Sequence, residues 1–167
     1  MATKSASRQD ILAEENSAKR QEIIELLTKA YWMELETVQS YIANSINPDG
    51  VRAEEIRRSL QADITSELGH AQQFARRIKE LYGRVPGSFH FKPSQDYLQP
   101  PADTTDIISV IKGVIQAEQG AIDHYSKIIK TTADVDPVTA DMVTTILADE
   151  EGHMRTFEGF LKEYEKR

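Results

Sequence analysis

Apolar residues recur at steps of three and four along four long segments of the chain, which is the period of a helix with one buried face. The pattern predicts helices over about residues 17–45, 51–82, 104–133 and 137–165. In the first two segments the striped positions are Ile24, Leu27, Tyr31, Glu34, Val38 and Tyr41, and Ile56, Leu60, Ile64, Glu67, Ala71, Phe74, Ile78 and Leu81. In the last two they are Ile107, Ile111, Val114, Glu118, Ile122, Tyr125 and Ile129, and Met142, Ile146, Glu150, His153, Phe157, Phe160 and Tyr164. The sequence therefore predicts an all-α protein.

Five of the six prolines lie in the breaks between these segments, and the sixth, Pro137, stands at the first position of the fourth segment. Residues 47–50 have the composition of a tight turn. Residues 84–103 contain four of the prolines and are predicted to be a long non-helical connection. The expected helix caps are Asp103 or Thr104 for the third helix, Asp136 followed by Pro137 for the fourth, and Gly83 at the end of the second.

The lengths of the breaks predict how the helices connect. The first and third breaks are short, so the helices on either side of each form an antiparallel hairpin. A helix of about 30 residues is roughly 45 Å long, whereas a connection of about 20 extended residues can span roughly 65 Å. The middle connection can therefore run the length of a bundle and make the second and third helices parallel. We expect a four-helix bundle with one long crossover.

Composition limits the classes of function. The chain has 167 residues, which suits one folded domain, predicted here at residues 18–167 after a polar N-terminal arm at residues 1–17. It has no cysteine, which excludes disulfides, zinc–thiolate sites and cysteine-ligated clusters. The net charge of −7 argues against a nucleic-acid partner. There is no long apolar run and no secretory signal, so we expect a cytoplasmic protein without a membrane partner.

One motif occurs twice. Glu67 and His70 form a Glu-x-x-His, and Glu150 and His153 form another; on a helix the two side chains of each motif share one face. A striped glutamate precedes each motif, Glu34 by 33 residues and Glu118 by 32. In each hairpin the two glutamates are equidistant from the turn, so all four glutamates and both histidines are predicted to meet at mid-bundle.

Such a cluster points to metal. A carboxylate in an apolar stripe must be paired, protonated or coordinated, because an isolated buried charge costs several kcal/mol. Carboxylate and imidazole ligands suit iron or manganese, and this ligand pattern is a known template for two-metal helical bundles. Tyr41 and Asp149 are weaker candidates for contacts to the ligands, the latter accepting a hydrogen bond from His70. Two other histidines and one glutamate are taken as structural or surface residues, His90, His124 and Glu151.

The combined motifs resemble those of bacterioferritin and related ferritin-like proteins. The resemblance rests on residues 149–153, residues 67–71, and Glu34 with Tyr41. It implies a ferritin-like bundle that acts as a ferroxidase, in which two Fe(II) ions are oxidised by dioxygen or peroxide. It also implies that Glu67 and Glu150 bridge the two metals. The other implied ligands are Glu34, His70, Glu118 and His153.

Three departures from the family patterns refine this expectation. Bacterioferritins bind haem through a methionine where this chain has Leu68, so no haem is expected. The sequence ends 14 residues after His153, which leaves no room for the fifth helix of 24-subunit cages and favours a Dps-like dodecamer or a dimer. Rubrerythrins have a further glutamate where this chain has Ala121, which weakens a peroxidase function.

Three functions remain open from the sequence. The first is a ferroxidase that also stores iron in a homo-oligomeric cage. The second is a di-iron or di-manganese oxidoreductase that acts on peroxide or a small substrate without storage. The third is a structural or assembly protein whose site merely holds metal.

Overall fold

The computed structural model describes residues 10–166, and within them four α-helices form one bundle. The helices are α1 (Ser17–Ile46), α2 (Glu54–Glu80), α3 (Ile107–Thr132) and α4 (Pro137–Tyr164). Short 3₁₀ turns precede α1 and α2, and two more lie in the connection between α2 and α3. The all-α class predicted from the apolar period is confirmed. No helix among the described residues combines the length and hydropathy needed to span a membrane.

The connection between α2 and α3, called the crossover below, runs from residue 81 to residue 106. It returns the chain to the turn between α1 and α2, where the Asp49 amide donates to the Thr104 carbonyl at 2.8 Å. The first turn of α3 therefore lies beside the first turn of α2. The two helices are parallel, and α3 is antiparallel to α1, so the one-crossover topology is confirmed.

Two apolar clusters fill the bundle, one toward each end. One contains Ile23, Leu27, Phe74, Ile78, Tyr125, Ile128 and Val143. The other contains Tyr41, Ile56, Leu60, Val114, Ala117 and Phe157. The buried glutamates of all four helices lie along the chain between these two sets, so a charged layer divides the core.

The inward face of α1 differs from the predicted stripe. Leu27, Glu34 and Tyr41 are buried as expected, but the alternate positions Ile24, Tyr31 and Val38 are only partly buried. The other buried positions of this face are Ile23, Ala30, Thr37 and Asn44. It includes polar residues because the crossover packs against it, and a count of apolar positions cannot detect such a face.

Two helix ends also differ from the predictions. Asp106 caps α3 by accepting from the Ser109 amide at 3.1 Å, whereas Asp103 accepts from Thr105 in the turn before it. At the end of α2 the residue with positive φ is Tyr82, at 65°, and not Gly83. Gly83 is still needed there, because a Cβ would lie 2.9 Å from Ile78. The predicted Asp136 cap of α4 is present.

The first described residues pack on the bundle although the sequence predicts an arm. Ile11 and Ala13 are buried, and the Arg20 guanidinium donates to both of their carbonyl groups at 2.9 Å. Residues 1–9 of the predicted arm lie outside the described residues, so the domain boundary at residue 17 stays a prediction.

A buried ion pair joins the two hairpins at one end. The Arg77 guanidinium of α2 donates to Asp136 at 2.7 Å and to Thr139 at 2.8 Å. Asp136 is only 1% exposed, and its carboxylate also caps α4. The charge at Asp136 therefore depends on Arg77 for compensation.

Replacement of Arg77 by methionine is expected to destabilise the protein by about 3 kcal/mol, because it leaves a buried carboxylate without its cation. The measurement is urea unfolding of the metal-free protein at one chain concentration. Arg76→Met is the control, since Arg76 is exposed and should change stability by less than about 0.5 kcal/mol. Equal stability of the two variants would contradict this role of the ion pair.

Candidate metal centre

The structure brings together all six residues singled out by the repeated motif. Glu34 comes from α1, Glu67 and His70 from α2, Glu118 from α3, and Glu150 and His153 from α4. They fall into two sets of four whose ligand atoms lie within 4.8 Å of one another, and Glu67 and Glu150 belong to both sets. Glu34 and His70 complete one set, and Glu118 and His153 complete the other.

Each shared carboxylate turns one oxygen toward each histidine. Glu67 places Oε2 at 3.3 Å from His70 Nδ1 and Oε1 at 3.0 Å from His153 Nδ1. Glu150 places Oε1 at 3.0 Å from His70 Nδ1 and Oε2 at 3.6 Å from His153 Nδ1. Glu67 and Glu150 therefore each turn one carboxylate oxygen toward each of the two sets.

A tyrosine from the other hairpin holds each unshared glutamate. Tyr41 of α1 donates to Glu118 at 2.5 Å, and Tyr125 of α3 donates to Glu34. Burial, and then the neighbouring Glu118, raises the pKa of Tyr41; burial and Glu34 do the same for Tyr125. Both phenols therefore remain protonated donors. The sequence pattern indicated Tyr41 as a site residue but not Tyr125. Tyr125 nevertheless stands seven residues after Glu118, as Tyr41 stands seven residues after Glu34.

The outer nitrogens of the two histidines face aspartates across the α2–α4 contact. His70 Nε2 lies 3.1 Å from Asp149 Oδ2 and 3.4 Å from Ser66 Oγ. His153 Nε2 lies 3.7 Å from Asp63 Oδ1. The sequence pattern did not indicate Asp63 as a site residue. The one feature that could have done so is its position one turn before Glu67, on the same helix face. An acceptor at Nε2 leaves Nδ1 aimed at the glutamates.

Several buried polar atoms at the centre make no hydrogen bond of good geometry and contact one another at ion-pair distances. They are both carboxylate oxygens of Glu67, Oε1 of Glu150, and Nδ1 of His70 and of His153. A buried polar atom without a partner is costly, and all of these are atoms that can bind a metal. The donor set of four carboxylates and two imidazoles therefore fits two hard or borderline cations.

Protons balance the charges of this centre when metal is absent. Burial opposes charge on the histidines, but Glu150 and Glu67 raise the pKa of His70 to about 10 and that of His153 to about 11. Burial would raise the pKa of Glu67, yet the two histidines hold it at about 2. Burial and neighbouring carboxylates raise the pKa of Glu34 and of Glu118 well above the usual value.

At neutral pH the raised pKa values leave a proton on each histidine, and the raised pKa of Glu34 and of Glu118 favours the uncharged form of both carboxyl groups. Divalent cations that displace such protons limit the change in the net charge of the buried layer, which matters because new buried charge is costly.

The residues taken as structural lie elsewhere. His124 is buried, and its Nε2 donates to the Leu26 carbonyl at 2.9 Å. His90 ends a 3₁₀ turn of the crossover, and Glu151 is exposed. None of the three contributes to the two four-residue sets found in the described part of the chain.

Comparison with known proteins agrees with this architecture. A family model for the ferritin-like domain matches residues 24–167. The chain belongs to the ferritin-like family. Relatives in that family include the bacterioferritin of Desulfovibrio desulfuricans, 27% identical over 141 residues, which are 84% of this chain and 74% of that protein. The DNA protection during starvation protein of Pyrococcus furiosus is 27% identical over 154 residues, 90% of this chain and 82% of that protein.

Solved structures of other ferritin-like proteins share the fold. The dodecameric thioferritin of Bacteroides fragilis superposes with a TM-score of 0.75 at 24% identity, covering 91% of this chain and 95% of that one. The Desulfovibrio desulfuricans bacterioferritin superposes with a TM-score of 0.72 at 24% identity, over 87% of this chain and 81% of that one. At these identities the likeness concerns the fold.

Divalent metal is expected to displace protons from this ferritin-like centre. Loading the metal-free protein with Co(II) under nitrogen at neutral pH should release protons, at least the one that each histidine holds, because the ligand atoms must be deprotonated. Calorimetry in buffers of different ionisation enthalpy gives the number. The apparent affinity should fall as the pH is lowered, since protons compete for the same atoms. Binding without proton release would contradict the protonation states described above.

Proposed function

We propose that this chain is a ferroxidase that binds two Fe(II) ions as substrates, oxidises them, and stores the product in a homo-oligomeric cage. The observation that carries the proposal is the pair of four-residue sets that share Glu67 and Glu150. Membership of the ferritin-like family supports iron oxidation and storage at a coarse level. The relatives described above, a bacterioferritin and a DNA protection during starvation protein, support the same function.

Each group of residues has a defined task in this proposal. Glu67 and Glu150 would each bind one ion through one carboxylate oxygen and the second ion through the other oxygen. Glu34 with His70, and Glu118 with His153, bind one ion each. Tyr125 and Tyr41 keep the two outer carboxylates in place through their hydrogen bonds.

The reaction balances with either oxidant. Two Fe(II) ions give up two electrons, and dioxygen with two protons becomes hydrogen peroxide. With hydrogen peroxide as the oxidant, the same two electrons and two protons yield two water molecules. Carboxylate ligands favour the Fe(III) product, because added negative charge stabilises the higher oxidation state. Manganese suits the same donors.

Replacement of Glu118 by alanine is expected to abolish rapid Fe(II) oxidation, because it removes a ligand from one of the two ions and the hydrogen-bond partner of Tyr41. Stopped-flow absorbance after mixing with two Fe(II) per chain in air measures the rate. Glu151→Ala is the matched control, since Glu151 is an exposed glutamate on α4 beside Glu150. Unchanged oxidation in Glu118→Ala would refute the ligand assignment.

Storage is tested separately from oxidation. The purified protein is exposed to a large excess of Fe(II) in air, and size-exclusion chromatography reports particle mass and iron per chain on one peak. We expect many more than two irons per chain on a particle the size of a cage. About two irons per chain on a small oligomer would exclude storage and favour a di-iron oxidoreductase. No retained iron would overturn the proposed function altogether.

A further inference from the structure

A small cavity borders the metal centre on the part of the bundle that the crossover covers. Its volume is about 10 Å³, and it is lined by Glu34, Glu67, Glu118 and Glu150 together with Thr37 and Gln95. Such a volume is about that of one water-sized probe. Glu67 and Glu150 contribute carboxylate oxygens that have no hydrogen-bond partner. The cavity is therefore a chamber for one very small molecule in direct contact with the centre.

Gln95 is the crossover residue that lines this chamber. Gln95 is 3% exposed, and Thr37 beside it is 7% exposed. The Gln95 amide donates to the Thr37 hydroxyl at 3.0 Å and, weakly, to the Met33 carbonyl at 3.5 Å, and the Thr37 hydroxyl donates to Gln95 Oε1 at 3.3 Å. A net hydrogen bond is worth only about 1 kcal/mol, so these three contacts with one short neighbour and one carbonyl are a modest barrier to movement of the side chain.

The backbone around Gln95 is held much more firmly than its side chain. The Glu36 carboxylate accepts from the amides of Ser94 at 2.8 Å and Gln95 at 2.7 Å. Further along, Asn44 donates to the Leu98 carbonyl at 2.8 Å. The crossover backbone also lies close to α3. A Cβ added to Gly113 of α3 would lie only 2.5 Å from the Tyr97 carbonyl oxygen. A swing of the Gln95 side chain would thus widen the chamber without moving the crossover backbone.

The opposite part of the centre has a different chemical character. Beside α2 and α4, His153 is 17% exposed, Asp63 is 17% exposed, and the Asp149 side chain is 54% exposed. Open carboxylates attract hydrated cations. The chamber below the crossover has a neutral amide, a hydroxyl, Met33 and two alanines beside the glutamates, which suits a small uncharged molecule.

We propose that Gln95 is the gate of an oxidant chamber. Its side chain limits the size of the molecules that can reach the two metals and sets the rate at which they enter. The gate rests on the proposed function, because it presumes a two-metal centre. Dioxygen or hydrogen peroxide enters past Gln95, whereas the metal ions enter beside Asp63 and Asp149. Gln95 and Thr37 act on access and do not bind the metals.

The test uses the full chain loaded with two Fe(II) ions under nitrogen, so that no oxidation occurs, and nitric oxide as a small uncharged probe. Stopped-flow absorbance follows nitric oxide binding to the iron. In Gln95→Ala the nitric oxide association rate should rise at least about fivefold, the factor that one net hydrogen bond supplies. Thr37→Val, which removes the partner of the amide, should raise the rate in the same direction. Gln39→Ala, an exposed glutamine on α1, should leave it unchanged.

The outcomes separate the gate from the proposed function. Failure of the wild-type chain to bind two Fe(II) ions would overturn the two-metal centre and with it the proposed function. Full iron binding with equal nitric oxide rates in wild type, Gln95→Ala and Thr37→Val would overturn the gate alone. Thermal unfolding of each variant identifies a folding defect, and Thr37→Val keeps the test decisive if Gln95→Ala does not fold.

Discussion

The burial of four carboxylates in one layer of a narrow bundle is the constraint on which the rest of this structure depends. Glu34, Glu67, Glu118 and Glu150 are each at most 3% exposed. Their charges must be compensated where they lie, because four unpaired anions in an apolar interior would cost far more than the net stability of a domain. Without metal, two imidazolium groups offset part of the charge, and the raised pKa of Glu34 and of Glu118 disfavours their ionised form; two divalent cations would offset it with metal.

This compensation also ties the two hairpins together. Each unshared glutamate receives its hydrogen bond from the tyrosine of the other hairpin, and His70 faces Asp149 across the same boundary. The Arg77–Asp136 pair repeats the arrangement at one end of the bundle. Helix packing and ligand placement are therefore one event, and a ligand variant changes how the hairpins fit as well as what the centre binds.

The crossover connects topology to chemistry. It is long because α2 and α3 are parallel, and its return path along α1 covers the polar face formed by Thr37, Asn44 and their neighbours. Glu36 fixes the crossover backbone there through the amides of Ser94 and Gln95. A connection required by the topology thus also encloses the chamber next to the two outer glutamates.

The sequence by itself determined the helices, the one-crossover order and the height of the ligands, because helical period, proline positions and distance from a turn are local properties of the chain. The six candidate ligands could be named for the same reason, since the repeat of Glu-x-x-His at nearly equal spacing is visible in the linear sequence. Only the tertiary structure revealed that Tyr125 holds Glu34, that Asp63 faces His153, and that Gln95 lines the chamber. Those contacts join residues far apart in sequence, and the polar face of α1 shows no apolar stripe that could have predicted its burial.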